Sequence, residues 1–344
     1  MFIRTNIIFG DFEREIAKLN LEGSGLLCCR RSFDPAPLKG LDLYVLRVSP
    51  EPTVESVQAY WNEIENKRFD YVLAIGGGSV IDVAKILAAR MENEEEIENF
   101  IGVERVGRKM KKLVAVPTTH GTGSEVTKYA VLKCKDAKRS VISENICPSV
   151  AIIDEKLSRG LPRDLTIYTS IDALCHNIEA YLTKACDPLT DTVCESGVRL
   201  FFDGIEDAIS DSAEGRRRMM LSSVLGGIAI TNTQTLVIHA LSHVLGAVHG
   251  VPHGLANAVF LPAFLKFYAG DEKFKRLEKM TTIGIVSDIG KLYEKYGVRR
   301  LSDFVDKNEA MRIAERAFEN ERLIGGGRKP VTLENLKEMV LNSF

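Results

Sequence analysis

Four of the chain's six histidines fall within the sixteen residues His239–Gly254, which read H-A-L-S-H-V-L-G-A-V-H-G-V-P-H-G. His239 and His243 are four apart and share one face of any helix that carries them. Pro252 interrupts the helical pattern, which places His253-Gly254 in the turn beyond it. A fifth histidine, His176, follows Asp172 by one helical turn in I-D-A-L-C-H-N-I-E-A-Y. A carboxylate with several imidazoles is the donor set of a divalent first-row metal such as iron or zinc.

A second kind of chemistry sits upstream. The apolar run Tyr71–Ile75 reads as a strand buried on both faces. Gly76-Gly77-Gly78-Ser79 follows it, and then a helical pattern over Val80–Arg90. Strand, glycine turn and helix together present backbone N–H groups and a helix N-terminus to a phosphate. The spacing is neither G-x-G-x-x-G nor G-x-x-x-x-G-K-[ST], so a tight strand–helix connection explains the glycines as well as a nucleotide does. Leu113–Val116 is a further strand, followed by the polar loop P-T-T-H-G-T-G-S-E, 117–125. Its hydroxyls suit a phosphate, ribose or carboxamide, and equally suit turns and caps. Two loops after two parallel strands leave the same sheet edge, where open α/β folds bind ligands.

These stretches must be positioned by two different architectures. Short strands at Leu26–Arg30, Asp42–Val48 and Val150–Ile153, with a helix near 54–67, complete an α/β first half. From Asp164 onward the pattern is helix after helix. The expected division is therefore a Rossmann-like α/β dinucleotide-binding domain over 1–154, then an all-helical metal and substrate domain over 155–344. All metal-type residues lie in the second part and all phosphate-type loops in the first. That layout suits a dinucleotide delivering hydride to a metal-held substrate.

The whole-chain properties narrow the class. With 344 residues and 45% apolar content the chain supports two cores. A net charge of −2 with no basic cluster argues against nucleic acid or an acidic membrane surface. No apolar run approaches the roughly 20 residues needed to span a bilayer, and the opening M-F-I-R-T-N-I-I-F-G-D is too short in apolar run for a signal peptide. The seven cysteines include no C-x-x-C pair, which fits reduced thiols in a cytoplasmic protein.

Four motifs in order carry a family resemblance: G-G-G-S-V-I-D-V-A-K (76–85), P-T-T-H-G-T-G-S-E-V-T (117–127), D-A-L-C-H-N-I-E-A-Y (172–181) and H-A-L-S-H-V-L-G-A-V-H-G-V-P-H-G-L-A-N-A (239–258). The chain resembles the iron-containing alcohol dehydrogenases over most of its length. The resemblance implies a metal held by Asp172, His176, His239 and His253. That differs from the spacing argument, which pairs His239 with His243. In the family the position of His243 lies beside the metal near the reacting groups, and an ordinary imidazole pKa of about 6.5 suits a proton relay there. At His249 the family position is often aromatic, which implies a packing or cleft-lining role. Gly77, Gly78 and Ser79 match the pyrophosphate loop, Thr118, Thr119 and Thr127 match cofactor contacts, and Lys138 falls where a cofactor-contacting lysine stands. Asp82 fits a nicotinamide contact or a helix cap equally.

Three departures bear on specificity. His120 replaces a small residue, which would bring an imidazole into the cleft. Glu51 stands where the P-x-P-T segment usually has Asn. The first strand ends Cys29-Arg30-Arg31 where the family has T-D on the adenosine ribose. A carboxylate selects the free 2′-hydroxyl, and an arginine accommodates a 2′-phosphate, so Arg30 points to NADP(H) over NAD(H).

The resemblance thus implies hydride transfer between the nicotinamide and a small alcohol or aldehyde at Fe2+, with Zn2+ suited to the same donors, in a chain that the family leads one to expect as a homodimer. Two rivals share the architecture. A zinc polyol dehydrogenase of the glycerol type normally lacks the histidine four after the aspartate. A dehydroquinate-synthase-like lyase uses the nicotinamide transiently and has another ligand set. A non-catalytic binding module would have to keep a buried aspartate and three histidines without a metal, which is costly.

Overall fold

The computed structural model describes residues 1–135, 137–281 and 283–344. They divide into two compact units, Phe2–Leu161 and Pro162–Phe344 with Met1.

The first unit runs β1 (Asn6–Phe9), α1 (Phe12–Lys18), β2 (Ser24–Cys29), β3 (Asp42–Arg47), α2 (Val54–Ile64), β4 (Tyr71–Gly76), α3 (Gly78–Arg90), β5 (Gly102–Val103), β6 (Leu113–Pro117), β7 (Tyr129–Cys134), β8 (Ala137–Ile142) and β9 (Val150–Ile153). Six strands form one sheet in the order β1-β9-β6-β4-β2-β3. Every neighbouring pair in it is parallel. A small sheet, β5-β8-β7, is set apart, with β7 antiparallel to β8.

Alternation along β4 explains its unbroken apolar sequence. Val72 and Ala74 join the core under α2 and α3. Leu73 and Ile75 point the other way, to the cluster that holds Phe12 and Ile16 of α1. A strand covered on both faces has no polar side, and the same holds for β6. Several elements escaped the sequence reading, β1 and the β7–β8 hairpin among them. β1 is a four-residue edge strand with only partly buried side chains. β7 and β8 mix lysines and an arginine with apolar residues, because only one side of that hairpin is covered.

The second unit consists of α4 (Arg163–Tyr181), α5 (Pro188–Ile209), α6 (Ala213–Asn232), α7 (Val237–His249), α8 (His253–Tyr268), α9 (Phe274–Glu278), α10 (Ile285–Tyr296), α11 (Lys307–Phe318), α12 (Glu321–Gly325) and α13 (Leu333–Leu341). α4 is the central helix, packed by α5, α6 and α8. From Ile171 to Tyr181 every one of its residues is buried, so its polar side chains have to be satisfied inside the protein. Among the described residues no single helix is long and apolar enough to cross a membrane.

Candidate active site

The glycine loop comes first. β4 and β6 are neighbours with Gly76 opposite Pro117, so the loops after them start side by side. The Thr118 N–H donates to the Gly76 carbonyl at 3.0 Å and ties them together. α3 begins at Gly78, and its N-cap Gly77 supplies no side-chain hydrogen bond. The helix therefore keeps its first N–H groups and its positive dipole end available for an anion. A Cβ on Gly78 would stand 2.7 Å from Thr122 Cγ2, and one on Gly77 would stand 3.1 Å from Thr119 Oγ1. The two loops touch through the space that side chains would fill. Gly77, Gly78, Ser79, Thr118 and Thr119 thus form one partly exposed cradle.

Behind the cradle lies a buried polar cluster that sequence reasoning did not assemble. Lys85, fully buried, donates to the Thr127 carbonyl at 2.9 Å, to Thr127 Oγ1 at 3.1 Å and to the Tyr129 carbonyl at 2.7 Å. Asp82 accepts from Ser124 Oγ at 2.5 Å and from the Val131 N–H at 3.0 Å. Asp82 and Thr127 therefore pin α3 to the 117–127 loop and to β7 from within. Asp82 is not a cap of its own helix. Burial pushes the Asp82 carboxyl up, against the pull of Lys85. It pushes the Lys85 ammonium down, against Asp82. Burial also raises Glu125 to about 7, with Lys85 offsetting part of the effect. The available signal was Lys85 itself, a lysine one turn after Asp82 in a helix whose other interior residues are apolar.

Other sequence-marked residues of this unit sit elsewhere. Lys138 Nζ meets Glu51 Oε2 at 3.2 Å, so the lysine and the unexpected glutamate form a pair. His120 is fully buried. Arg30 lies just past the end of β2, exposed like Arg31. Arg47 donates to the Arg30 carbonyl at 2.9 Å and the Phe33 carbonyl at 2.7 Å, which fixes the turn that displays both guanidinium groups.

In the second unit Asp172 and His176 occupy successive turns of α4, and His239 is the third residue of α7. His253 is the first residue of α8 rather than part of a turn beyond a helix end. Gly250, in the left-handed conformation at φ 67°, ends α7. Pro252 precedes the next helix, where its missing N–H is of no consequence. Gly254 allows the close approach that follows: a Cβ there would lie 2.4 Å from the Tyr168 carbonyl oxygen of α4.

The donor atoms converge. His176 Nε2 and His239 Nε2 are 3.0 Å apart. Asp172 Oδ1 is 3.7 Å from each of them and 3.6 Å from His253 Nε2. A tetrahedral cation with bonds of roughly 2.0–2.2 Å needs donor separations of about 3.3–3.6 Å, and the observed 3.0–3.7 Å bracket that spacing, as an iron- or zinc-sized ion requires. Asp172, His176 and His239 form the tightest group, with ligand atoms all within 4.8 Å of one another. His243 lies beside them, its ring centroid 6.1 Å from that of His239 and 5.6 Å from that of His253. The spacing pair His239/His243 therefore separates into one residue of the tight group and one neighbour. His249 packs against α11, its Nε2 3.2 Å from Glu309 Oε1.

Two supporting residues were missed. Glu179, fully buried, pairs with His239 Nδ1 and accepts from the Ile238 N–H at 2.7 Å. Asn257 Nδ2 donates to Asp172 Oδ1 at 2.7 Å. The Asn257 Oδ1 is buried with no hydrogen-bond partner among the described residues, a polar atom left over at the same place. Burial opposes charge on Asp172, but His176, His253 and His239 outweigh it and hold the carboxyl well below the usual range. Burial likewise opposes an imidazolium at His239, yet Glu179 and Asp172 raise it to about 9. Both residues had a signal: Glu179 stands three after His176, and Asn257 four after His253, each on the helix face of one of the clustered histidines.

Residues 31–155 match the family described as iron-containing alcohol dehydrogenase, and residues 166–338 match the C-terminal part of the Fe-containing alcohol dehydrogenase family. An alcohol dehydrogenase of Thermococcus barophilus is 30% identical over 316 residues, 86% of this chain and 83% of the relative. An NADPH-dependent butanol dehydrogenase of Clostridium saccharobutylicum is 29% identical over 85% of this chain and 81% of its own length. Among solved structures, an iron-containing alcohol dehydrogenase from Thermococcus thioreducens superposes with a TM-score of 0.91 at 26% identity, covering 100% of this chain and 99% of that one.

Proposed function

This chain belongs to the iron-containing alcohol dehydrogenase family and is an NAD(P)-dependent alcohol dehydrogenase; on that premise we propose that it interconverts a small alcohol and its aldehyde at an Fe2+ centre, with NADP(H) preferred. The observation that carries the metal reading is the convergence of Asp172, His176, His239 and His253 on one point. When bound, the cation supplies Lewis acidity toward the substrate oxygen and the nicotinamide supplies or accepts the hydride.

The chain's own residues do the rest. Gly77, Gly78 and Ser79 receive the pyrophosphate on α3's N-terminus, and Thr118 and Thr119 line the cradle opposite them. Asp82, Lys85 and Thr127 hold the cradle from behind. Lys138, paired with Glu51, serves the cofactor from the β8 side. Exposed Arg30 at the end of β2 meets the 2′-phosphate. His243, beside the histidine cluster, carries the proton that accompanies hydride transfer.

The test is loss of nicotinamide absorbance with anaerobically prepared, Fe2+-loaded protein and short aldehydes, NADPH and NADH run in parallel. Faster turnover with NADPH, reduced selectively by Arg30→Ala, is the expected result. Equal turnover with both cofactors would remove the role given to Arg30 and leave the reaction standing. Metal-loaded protein that turns over neither would favour the lyase chemistry.

A further inference from the structure

The carboxylate of Glu179 has two tasks at once, and the pairing has a chemical consequence. α7 starts after Leu236, which gives no side-chain cap. Its early N–H groups need an acceptor from elsewhere. Glu179 Oε1, from α4, takes the Ile238 N–H at 2.7 Å. The other oxygen faces His239 Nδ1. Glu179 is 0% exposed, so water supplies neither contact. Oε1 already has its donor in a backbone N–H, and Oε2 is aimed at the imidazole.

With Oε1 accepting from the Ile238 N–H and Oε2 turned to the ring, the carboxylate is placed to accept on both oxygens. The proton between it and the imidazole therefore belongs to Nδ1. That leaves the Nε2 lone pair of His239 directed at the point where His176 Nε2 and Asp172 Oδ1 stand 3.0 and 3.7 Å away. We propose that Glu179 is the positioning residue that fixes His239 as the Nδ1–H tautomer and so makes its Nε2 a metal donor. The inference rests on the metal-centre reading above and extends it from the donor atoms to what makes one of them able to donate. Through the Ile238 bond the same side chain also sets where α7 begins, and hence the depth at which His239 stands opposite α4.

The competing account is that Glu179 only caps α7. The two accounts separate on substitution by glutamine. Gln has the same shape but one acceptor and one donor. The Ile238 N–H can only donate, so it takes the amide oxygen and the cap survives. The amide N–H then faces His239 Nδ1, which has to become the acceptor, and the ring proton moves to Nε2. A capping role predicts that Glu179→Ala is worse than Glu179→Gln in every measurement. The tautomer role predicts that Gln disturbs metal binding at least as much as Ala, although Ala disturbs the fold more.

The experiment is competition for Zn2+, and separately Co2+, between a chromophoric chelator and the full-length parent, Glu179→Gln and Glu179→Ala chains, with thermal unfolding of each metal-free protein alongside. For Glu179→Gln the expected result is a rise in Kd of about 10–100-fold, the usual effect of losing the hydrogen bond behind a ligating histidine, with a metal-free midpoint close to the parent's. A Glu179→Gln chain that binds Zn2+ as tightly as the parent overturns the inference. So does a rank order in which only Ala weakens binding. The parent provides a check that needs no variant: in 15N-histidine-labelled, Zn2+-loaded protein, His239 should show an Nδ1–H protected from solvent exchange, and its absence counts against the proposal. A parent chain that binds neither Zn2+ nor Co2+ fails the metal-centre reading itself, an outcome distinct from normal binding by the parent and Glu179→Gln alike.

Discussion

The two units present their ligand-facing surfaces in opposite ways. In the first unit the surface is backbone: the N-terminus of α3 and two loops that meet through missing Cβ atoms. Asp82 and the buried Lys85 stand behind that surface and hold it. In the second unit the surface is side chain, with Asp172 and the His239 imidazole themselves the buried donors and Glu179 and Asn257 holding them. A backbone-built site reads shape and is sensitive to an added methyl group. A side-chain-built site reads protonation and donor identity, and is sensitive to isosteric changes that leave its shape intact.

The largest expected effect falls on the side-chain-built site. His176→Ala removes a donor atom outright, so divalent-cation affinity should fall by more than the roughly 10–100-fold that attends loss of a supporting hydrogen bond. Elemental analysis after dialysis would read it, and turnover should fall in parallel. Full metal retention would place the cation elsewhere and collapse the contrast between the units.

The next effect is a pH dependence confined to the first unit. Glu125 has a folded pKa raised from 4.5 to about 7 by burial, with Lys85 as the opposing charge. Between these values the folded chain keeps the proton and the unfolded chain has lost it, so stability falls as pH rises. The contribution is intact below about pH 4.5 and fully lost above about pH 7, a change of up to about 3 kcal/mol. Glu125→Gln should flatten this part of the profile in urea unfolding at a series of pH values. An unchanged slope would mean that Glu125 is not the titrating group.

The smallest change tests the glycine cradle. Gly78→Ala puts a methyl group 2.7 Å from Thr122 Cγ2, an overpacking worth about 1–3 kcal/mol. The KM for NADPH should rise while metal content stays constant, and Thr122→Ala in the same chain should restore binding. A double variant no better than the single one would show that the limit is approach of the cofactor rather than contact between the loops.

Much of this arrangement was legible beforehand. Tyr71–Ile75 followed by Gly76-Gly77-Gly78 marked the strand, turn and helix, because a doubly covered strand has no polar alternation to obscure it. Asp172 and His176 declared a shared helix face by spacing alone. β1 was not legible, since a four-residue edge strand carries too little pattern. The start of α8 was misread, because Pro252 looked like a helix end when it stands just before a new beginning. Lys85 was visible as a residue but not as a clamp, since its three acceptors lie more than forty positions away.

What the sequence by itself determined is local: which residues share a helix face, where glycine frees the backbone, and which charge types lie close along the chain. Those follow from periods of two and 3.6 residues that neighbours impose on one another. Only the tertiary structure decided that Asn257 supports the aspartate and that Glu179 reaches α7 from sixty residues away; helical spacing left His239 paired with His243, where the family resemblance had already set them apart. The separation of the two histidines is physical: His239 is buried in a turn that Glu179 of α4 holds by satisfying the N-terminus of α7, whereas His243, one turn on, is only half-buried.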